Sequence, residues 1–306
     1  MSFPEISDAL RLERLRPPAG RVRMVLDTDT YNETDDQFAL VHALLSPERL
    51  AVEAVYAAPF HNERSDGPGH GMELSYQEIL RLLQRLGRSA DGFAFRGSTG
   101  YLGAGGQACE SEAAHDLVAR GLASPDDDPL YVVAIGAITN VASALLAEPA
   151  LAGKIVVVWL GGHSLTWPDT QEFNLRQDVP AARTVLDCGV PLVLVPCMGV
   201  TSHLQTTVPE IDRHVAPHGE LGAFLAARYK EMRADHFAWS RVLWDVATIA
   251  WLLDPAWVPT ELVPSPVLTD QVTWSVDRRR HLVRCASFVH RDPIFRDLFR
   301  KLAAAA

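Results

Sequence analysis

Runs of β-branched and apolar residues recur along the chain: VRMVLD (22–27), LAVEAVYAA (50–58), LYVVAI (130–135), KIVVVWL (154–160) and PLVLVP (191–196). Each run is nearly continuous rather than alternating, the pattern of strands buried on both faces, and this confines the chain to a parallel sheet covered by helices on either side. Segments of helical periodicity lie between them at about 35–46, 73–87, 110–123, 139–147 and 179–187, which gives a βαβ rhythm. The expected fold is α/β, an open, mostly parallel, Rossmann-like sheet with helices on both faces. Residues 208–253 read as a C-terminal helical elaboration, 267–289 as a small β-hairpin or edge strands, and 292–302 as a last helix. Without a repeat, a low-complexity segment or a long linker, residues 1–306 read as a single domain. Residues 1–20 form an N-terminal extension and 303–306 a disordered tail.

With 306 residues, 48% hydrophobic and 22% charged, the chain can bury a large core. A net charge of −10 opposes phosphate-rich partners, so neither nucleic acid nor an anionic membrane surface is expected. The N-terminal MSFPEISDALRLERLRPPAG is charged throughout and lacks the apolar stretch of a signal peptide, and the apolar runs are too short to span a bilayer. Cys109, Cys188, Cys197 and Cys285 show no CxxC and no ligand-like spacing. They read as buried thiols in a reducing cytoplasm rather than as zinc ligands or disulfides.

Two Gly-, Pro- and His-rich loops, 59–72 (PFHNERSDGPGHGM) and 97–109 (GSTGYLGAGGQAC), follow strands. The ligand crevice of an open α/β sheet lies beyond the carboxyl ends of its strands, so these loops are either candidate walls of a site or plain surface connections.

The strongest local signal is DTDTYNETDDQFALVHALL at 27–45. A strand ends in Asp27 and Asp29, and a helix opens with Asp35 and Asp36, Thr34 standing where an N-cap belongs. Two acids in a first helical turn are explained by the helix dipole alone. Four acids at one strand end repel one another, and a Ca²⁺ or Mg²⁺ ion held by oxygen ligands relieves that cost.

This segment resembles the signature of the inosine-uridine preferring nucleoside hydrolases, calcium-dependent N-ribohydrolases in which a strand ending Asp-x-Asp leads through a short loop into Asp-Asp and an Ala-Leu-containing helix. One departure is clear: five residues separate Asp29 from Asp35, where the family usually has three. Further segments match in order. AIGAITNVASAL (134–145) is similar to a strand-to-helix turn in which the Thr139 carbonyl would be a calcium ligand, although a helix-capping role explains Thr139-Asn140 equally well. WLGGHSLTWPDTQEFNLRQDVPAAR (159–183) carries Gly-Gly, then Glu172-Phe-Asn174, then Asp178 opening a helix. WDVATIAWLLDP (244–255) has Trp244-Asp245 where the family usually has His-Asp.

The resemblance implies hydrolysis of the N-glycosidic bond of a ribonucleoside to ribose and free base. It places Ca²⁺ on Asp29, Asp36, the Thr139 carbonyl and Asp245, and the ribose hydroxyls on Asp35, Glu172, Asn174 and Asp245. Asp29 is the expected general base toward a cation-bound water, and Asp27 a hydrogen-bonded support. Indole has no titratable proton for a leaving base, so Trp244 is expected to act by stacking; Trp-Asp at this place resembles a purine-preferring branch of the family, which implies purine ribonucleosides, and packing in the core is the other reading of Trp244. His61, His70, His163 and His236 are the candidate acids. A homodimer or homotetramer is expected by the same resemblance.

Two other assignments compete. VLDTDT also fits the nucleophile motif of haloacid-dehalogenase-like, Mg²⁺-dependent phosphatases, with Asp27 as nucleophile and Asp29 as acid/base. Alternatively, the chain is a catalytically weak nucleoside- or ribose-binding protein whose lengthened loop and missing histidine have cost it turnover.

Overall fold

The computed structural model describes residues 3–103 and 105–306; residues 1, 2 and 104, from the expected N-terminal extension and the 97–109 loop, lie outside the described residues. After α1 (Asp8–Arg14), strands and helices alternate: β1 (Val22–Thr28), α2 (Asp35–Leu44), β2 (Leu50–Ala57), α3 (Pro68–Arg85), β3 (Ala94–Arg96), α4 (Glu112–Leu122), β4 (Leu130–Ala134), α5 (Thr139–Ala147) and β5 (Ile155–Leu160). The short α6 (Phe173–Gln177) and α7 (Val179–Asp187) precede β6 (Leu192–Val195). A ribbon of β7 (Gln205–Thr207) and β8 (Ser240–Val242) brackets α8 (Val208–His214) and α9 (Gly219–Glu231). Next come α10 (Val246–Leu253), β9 (Thr260–Pro264), a hairpin of β10 (Val267–Leu268) and β11 (Trp274–Ser275), β12 (Leu282–Ala286) and α11 (Arg291–Ala304).

Eight strands form one sheet in the order β3-β2-β1-β4-β5-β6-β12-β9, and every neighbouring pair is parallel except β12 with β9. The continuous apolar runs follow from burial on both faces. Met24 and Leu26 enter a core shared with α2, α3, α10 and α11, whereas Val25 between them enters a second core shared with α4, α5 and α7. In β5, Val156, Val158 and Leu160 face the first core, and Ile155, Val157 and Trp159 the second. β1 to β3 step toward one edge and β4 to β6 toward the other, so the order reverses between β1 and β4. The crevice that such a reversal opens at the carboxyl ends of the strands is the expected place for a ligand.

Several elements differ from expectation. Helix α3 starts at Pro68 rather than near 73, because proline suits the first helical position and Gly71 allows contact with the Phe60 carbonyl, where a Cβ would fall 1.9 Å from the oxygen. Strand β3 and the β7–β8 ribbon, each strand three residues long, carry too little pattern to be read. Of the 267–289 segment, β10 and β11 form the hairpin while β12 joins the main sheet. Helix α11 continues through Ala304 into the expected tail, as an alanine run permits. In the N-terminal extension, α1 docks through the buried Arg11, which donates to the Gly189 carbonyl. Cys188, Cys197 and Cys285 are buried thiols, but Cys109 is only half-buried. No helix among the described residues is long and apolar enough to cross a membrane.

Candidate active site

A cavity of about 260 Å³ opens where the sheet order reverses, beyond the ends of β1, β4, β5 and β6, each of which contributes a lining residue at or just past its last position: Asp29, Ile135, Leu160 and Cys197. Asp29, just past β1, and Asp35 and Asp36 of α2 supply acids to its lining, as do Glu172 and Asp245, with Phe173 and Asn174 beside Glu172 in the chain. His163, Met198 and Trp244 complete it. Asp29, Asp35, Asp36, Asp245, Glu172, Asn174 and Trp244 therefore converge on one space although 216 positions separate Asp29 from Asp245.

The acid cluster is dense. Oxygens of Asp35, Asp36 and Asp245 lie within 4.8 Å of one another, and Asp29 abuts Asp36. The sequence expectation put Asp35 on ribose and Asp29 among the cation ligands, so the tightest trio differs from that set by including Asp35. Asp36 accepts from the Thr28 hydroxyl at 2.6 Å, and Asp35 Oδ2 accepts the Trp244 backbone N–H at 3.1 Å, which ties the turn before α10 to the start of α2. Asp35 Oδ1 is buried with no partner. Burial, followed by the neighbouring carboxylates, pushes Asp29, Asp36 and Asp245 well above the usual aspartate range, and burial with Glu33 nearby raises Asp35 to about 7. Facing carboxylates with an orphaned oxygen are a donor set that fits a hard divalent cation.

Thr34 occupies the N-cap position of α2 but makes no capping bond. Its φ of −85° and ψ of −23° are already helical, and its buried hydroxyl has no partner. Thr139, expected among the cation ligands, is fully buried and does not line the cavity, and it does not cap α5 either. Ile138 is the cap residue, and the Thr139 hydroxyl donates to Asp178 Oδ2 at 2.7 Å. The turn before it runs beside Asp29, since a Cβ on Gly136 would meet Asp29 Oδ1 at 3.2 Å.

Glu172 caps α6, its carboxylate accepting backbone N–H groups of Asn174 (2.8 Å), Leu175 (3.0 Å) and Gly162 (3.0 Å); burial still lifts it to about 7 against those donors. Asn174 directs both amide hydrogens to carbonyls, of Ile135 (3.2 Å) and Leu160 (3.1 Å), so its Oδ1 is the atom left for a ligand. Trp244 lies just before α10 and faces the cavity, rather than serving only as core. Asp27 is fully buried and absent from the lining. Burial raises it to about 7 with the Asn140 amide partly offsetting, and neither oxygen has a hydrogen bond of ordinary geometry, so the expected loop-supporting bond is not formed. An Asp27 sealed in this way does not suit the nucleophile of a phosphatase.

Of the four candidate histidines, His163 alone lines the cavity. His61 and His70 are exposed, the latter paired with Asp66, and His236 stacks on Trp239. His163 Nδ1 accepts the Met198 N–H at 3.4 Å, and burial lowers its pKa. Among the described residues, neither the 59–72 nor the 97–109 loop lines the cavity; they brace residues behind it, as when the His61 N–H and the Tyr101 hydroxyl meet Gln177. Sequence reading missed Asn32, Glu33, Phe173, Cys197 and Met198 as lining residues. The rule that ligands sit past strand ends could have found Cys197 and Met198, which directly follow the PLVLVP run.

A family model described as inosine-uridine preferring nucleoside hydrolase matches residues 68–294. Curated proteins named pyrimidine-specific ribonucleoside hydrolase RihA, from Salmonella paratyphi A and from Escherichia coli O127:H6, are each 30% identical over 261 residues, covering 76% of this chain and 79% of theirs. Among solved structures, a plant nucleoside hydrolase superposes with a TM-score of 0.72 at 21% identity, covering 94% of this chain and 100% of its own. A purine-preferring ribonucleoside hydrolase from Gardnerella vaginalis gives 0.73 at 20% identity, covering 92% and 98%. With a family match over most of its length and its acids gathered at the strand ends, the chain belongs to the inosine-uridine preferring nucleoside hydrolase family.

Proposed function

We propose that the protein hydrolyses the N-glycosidic bond of ribonucleosides, with a preference for purines, using a Ca²⁺ ion on Asp29, Asp36 and Asp245. The observation that carries this reading is the make-up of one cavity, which is lined both by the clustered carboxylates of Asp35, Asp36 and Asp245 and by the rings of Phe173, His163 and Trp244. Breaking the bond develops positive charge on the sugar and negative charge on the base, and the two kinds of lining residue suit those two ends. When bound, the ion compensates the carboxylates and polarises the diol and a water.

Asp29 acts as general base toward that water, its carboxylate being at the cavity edge beside Asp36. Asn174 Oδ1 accepts from a ribose hydroxyl, and Asp35, Glu172 and Asp245 serve the remaining hydroxyls. Trp244 offers a stacking face, which a bicyclic base covers more fully than a monocyclic one. His163, with its Nδ1 turned to the Met198 N–H, keeps Nε2–H as the donor for the leaving base.

Base preference differs among the relatives, two being named pyrimidine-specific and one purine-preferring. The test is release of free base from inosine, guanosine, uridine and cytidine by the calcium-loaded protein. Faster cleavage of the two purines is expected, and a clear pyrimidine preference would overturn the assignment. Nucleoside binding without release of base would instead make the chain a binding protein.

A further inference from the structure

The loop between β1 and α2, two residues longer than the family usual, is held along its length. Thr30 shares a hydroxyl contact of 2.9 Å with Thr28, and the Arg228 guanidinium lies 5.4 Å from the centre of the Tyr31 ring. Glu33 pairs with Arg241 at 2.6 Å. Asn32, only 7% exposed, makes the most directed contacts. Its backbone N–H donates to the Asp29 carbonyl at 2.7 Å, and its Nδ2 to Asp29 Oδ2 at 3.0 Å. Its Oδ1 accepts from Asn62 Nδ2 at 2.6 Å.

The polarity of this chain of amides is not arbitrary. Asn62 Oδ1 accepts the backbone N–H of Arg64 at 2.9 Å, and a backbone N–H can only donate. Asn62 must then present its Nδ2 to Asn32, which must accept through Oδ1 and so turn its own Nδ2 toward Asp29. The 59–67 loop thereby fixes which atom Asn32 offers to the carboxylate. One oxygen of Asp29 is pinned by Asn32, while the other, Oδ1, lies on the Gly136 side.

We propose that Asn32 is a positioning residue for Asp29 and that Asn62, which does not line the cavity, holds Asn32 in the donating orientation. This rests on the reading of Asp29 as general base and cation ligand, which it deepens by assigning the support that keeps the carboxylate in register.

The experiment compares Asn32→Ala, Asn62→Ala, the double variant and Asp29→Ala by steady-state kinetics on the best nucleoside. Calorimetric titration of each chelated protein with calcium supplies a second readout. Asn32→Ala is expected to lower kcat at saturating calcium and to weaken calcium binding, each by about tenfold or more, with KM little changed. Asn62→Ala should move both quantities in the same direction by less, and the double variant should be no worse than Asn32→Ala, because the two side chains act through one hydrogen bond to Asp29. A raised KM with kcat and calcium affinity intact would make Asn32 a substrate contact and overturn the proposal. So would Asn62→Ala behaving as wild type while Asn32→Ala is impaired. If Asp29→Ala itself keeps full hydrolysis, the underlying reading fails; if Asp29→Ala is inactive while Asn32→Ala is unimpaired, the positioning role alone fails.

Discussion

Asp29, Asp35, Asp36 and Asp245 are buried acids, and so are Glu172 and Asp178, yet the two groups are held in different ways. The carboxylates of the second group are met by backbone N–H donors: Glu172 by those of Gly162, Asn174 and Leu175, and Asp178 by those of Leu102 and Ala181, with the Thr139 hydroxyl added. Those of the first group chiefly face one another. A buried acid that caps a helix holds a loop in shape, whereas buried acids facing each other hold a place for a cation and are under strain without it. Both sets stand near the strand ends, so burial alone does not separate an acid that also holds a loop from acids that hold a place for a cation; the identity of the partner does.

The largest expected break in this comparison is in rate. Asp29→Ala should lower kcat on the preferred nucleoside by about 10²–10⁴-fold, the usual worth of a positioned general base, while the far-ultraviolet circular dichroism stays that of the parent. Near-full turnover in that variant would remove Asp29 from the chemistry and leave the facing acids without a catalytic member.

How much of this was legible in sequence depends on the distance over which each feature is encoded. Met24-Val25-Leu26 reads as a strand because the apolar run is local, and Asp35-Asp36 after Asp27-x-Asp29 reads as an acid cluster because one turn brings them together. Asp245 was reachable only through the ordered family match, since nothing near it in the chain tells of Asp35. The bond between Asn32 and Asn62 joins residues 30 apart in two loops and leaves no periodic trace. Pro68 was read as loop although it starts α3, because the Gly-rich sequence around it masks a helix whose Gly71 is needed for contact with Phe60. Thr34 has the right residue type for a cap but not the extended backbone that capping requires.

The second break is in the pH dependence of stability. An aspartate whose pKa is raised by folding retains a proton that the unfolded chain has already released, so the stability it contributes is complete below about pH 4 and is lost as pH climbs through its folded value. For Asp35 that value is about 7, and Asp29, Asp36 and Asp245 shift in the same direction. Chelated protein should therefore melt lower at pH 8 than at pH 5, and calcium should raise the pH 8 value more than the pH 5 value. Asp27 and Glu172, also raised to about 7, add to the slope, while His42, His163 and His281, which burial lowers, oppose it, so calcium should cancel only the part that the facing acids contribute. Calorimetric melts at both pH values, with chelator and with calcium, measure the difference; a calcium-induced rise no larger at pH 8 than at pH 5 would show that the facing acids are not strained.

The smallest effect is also the sharpest test, because its sign differs between the two groups. Glu172→Ala leaves three buried N–H groups without an acceptor and should cost about 1–3 kcal/mol, as much with chelator as with calcium. Asp36→Asn keeps an oxygen for the Thr28 hydroxyl but removes a charge from among its neighbours. At pH 8 it should raise the melting temperature of the chelated protein and abolish the further rise that calcium gives the parent. Denaturant melts of both variants in both conditions decide the matter. If Asp36→Asn destabilises the chelated protein as Glu172→Ala does, the aspartates brace the chain as the glutamate does, and a cation is no longer needed to account for their burial.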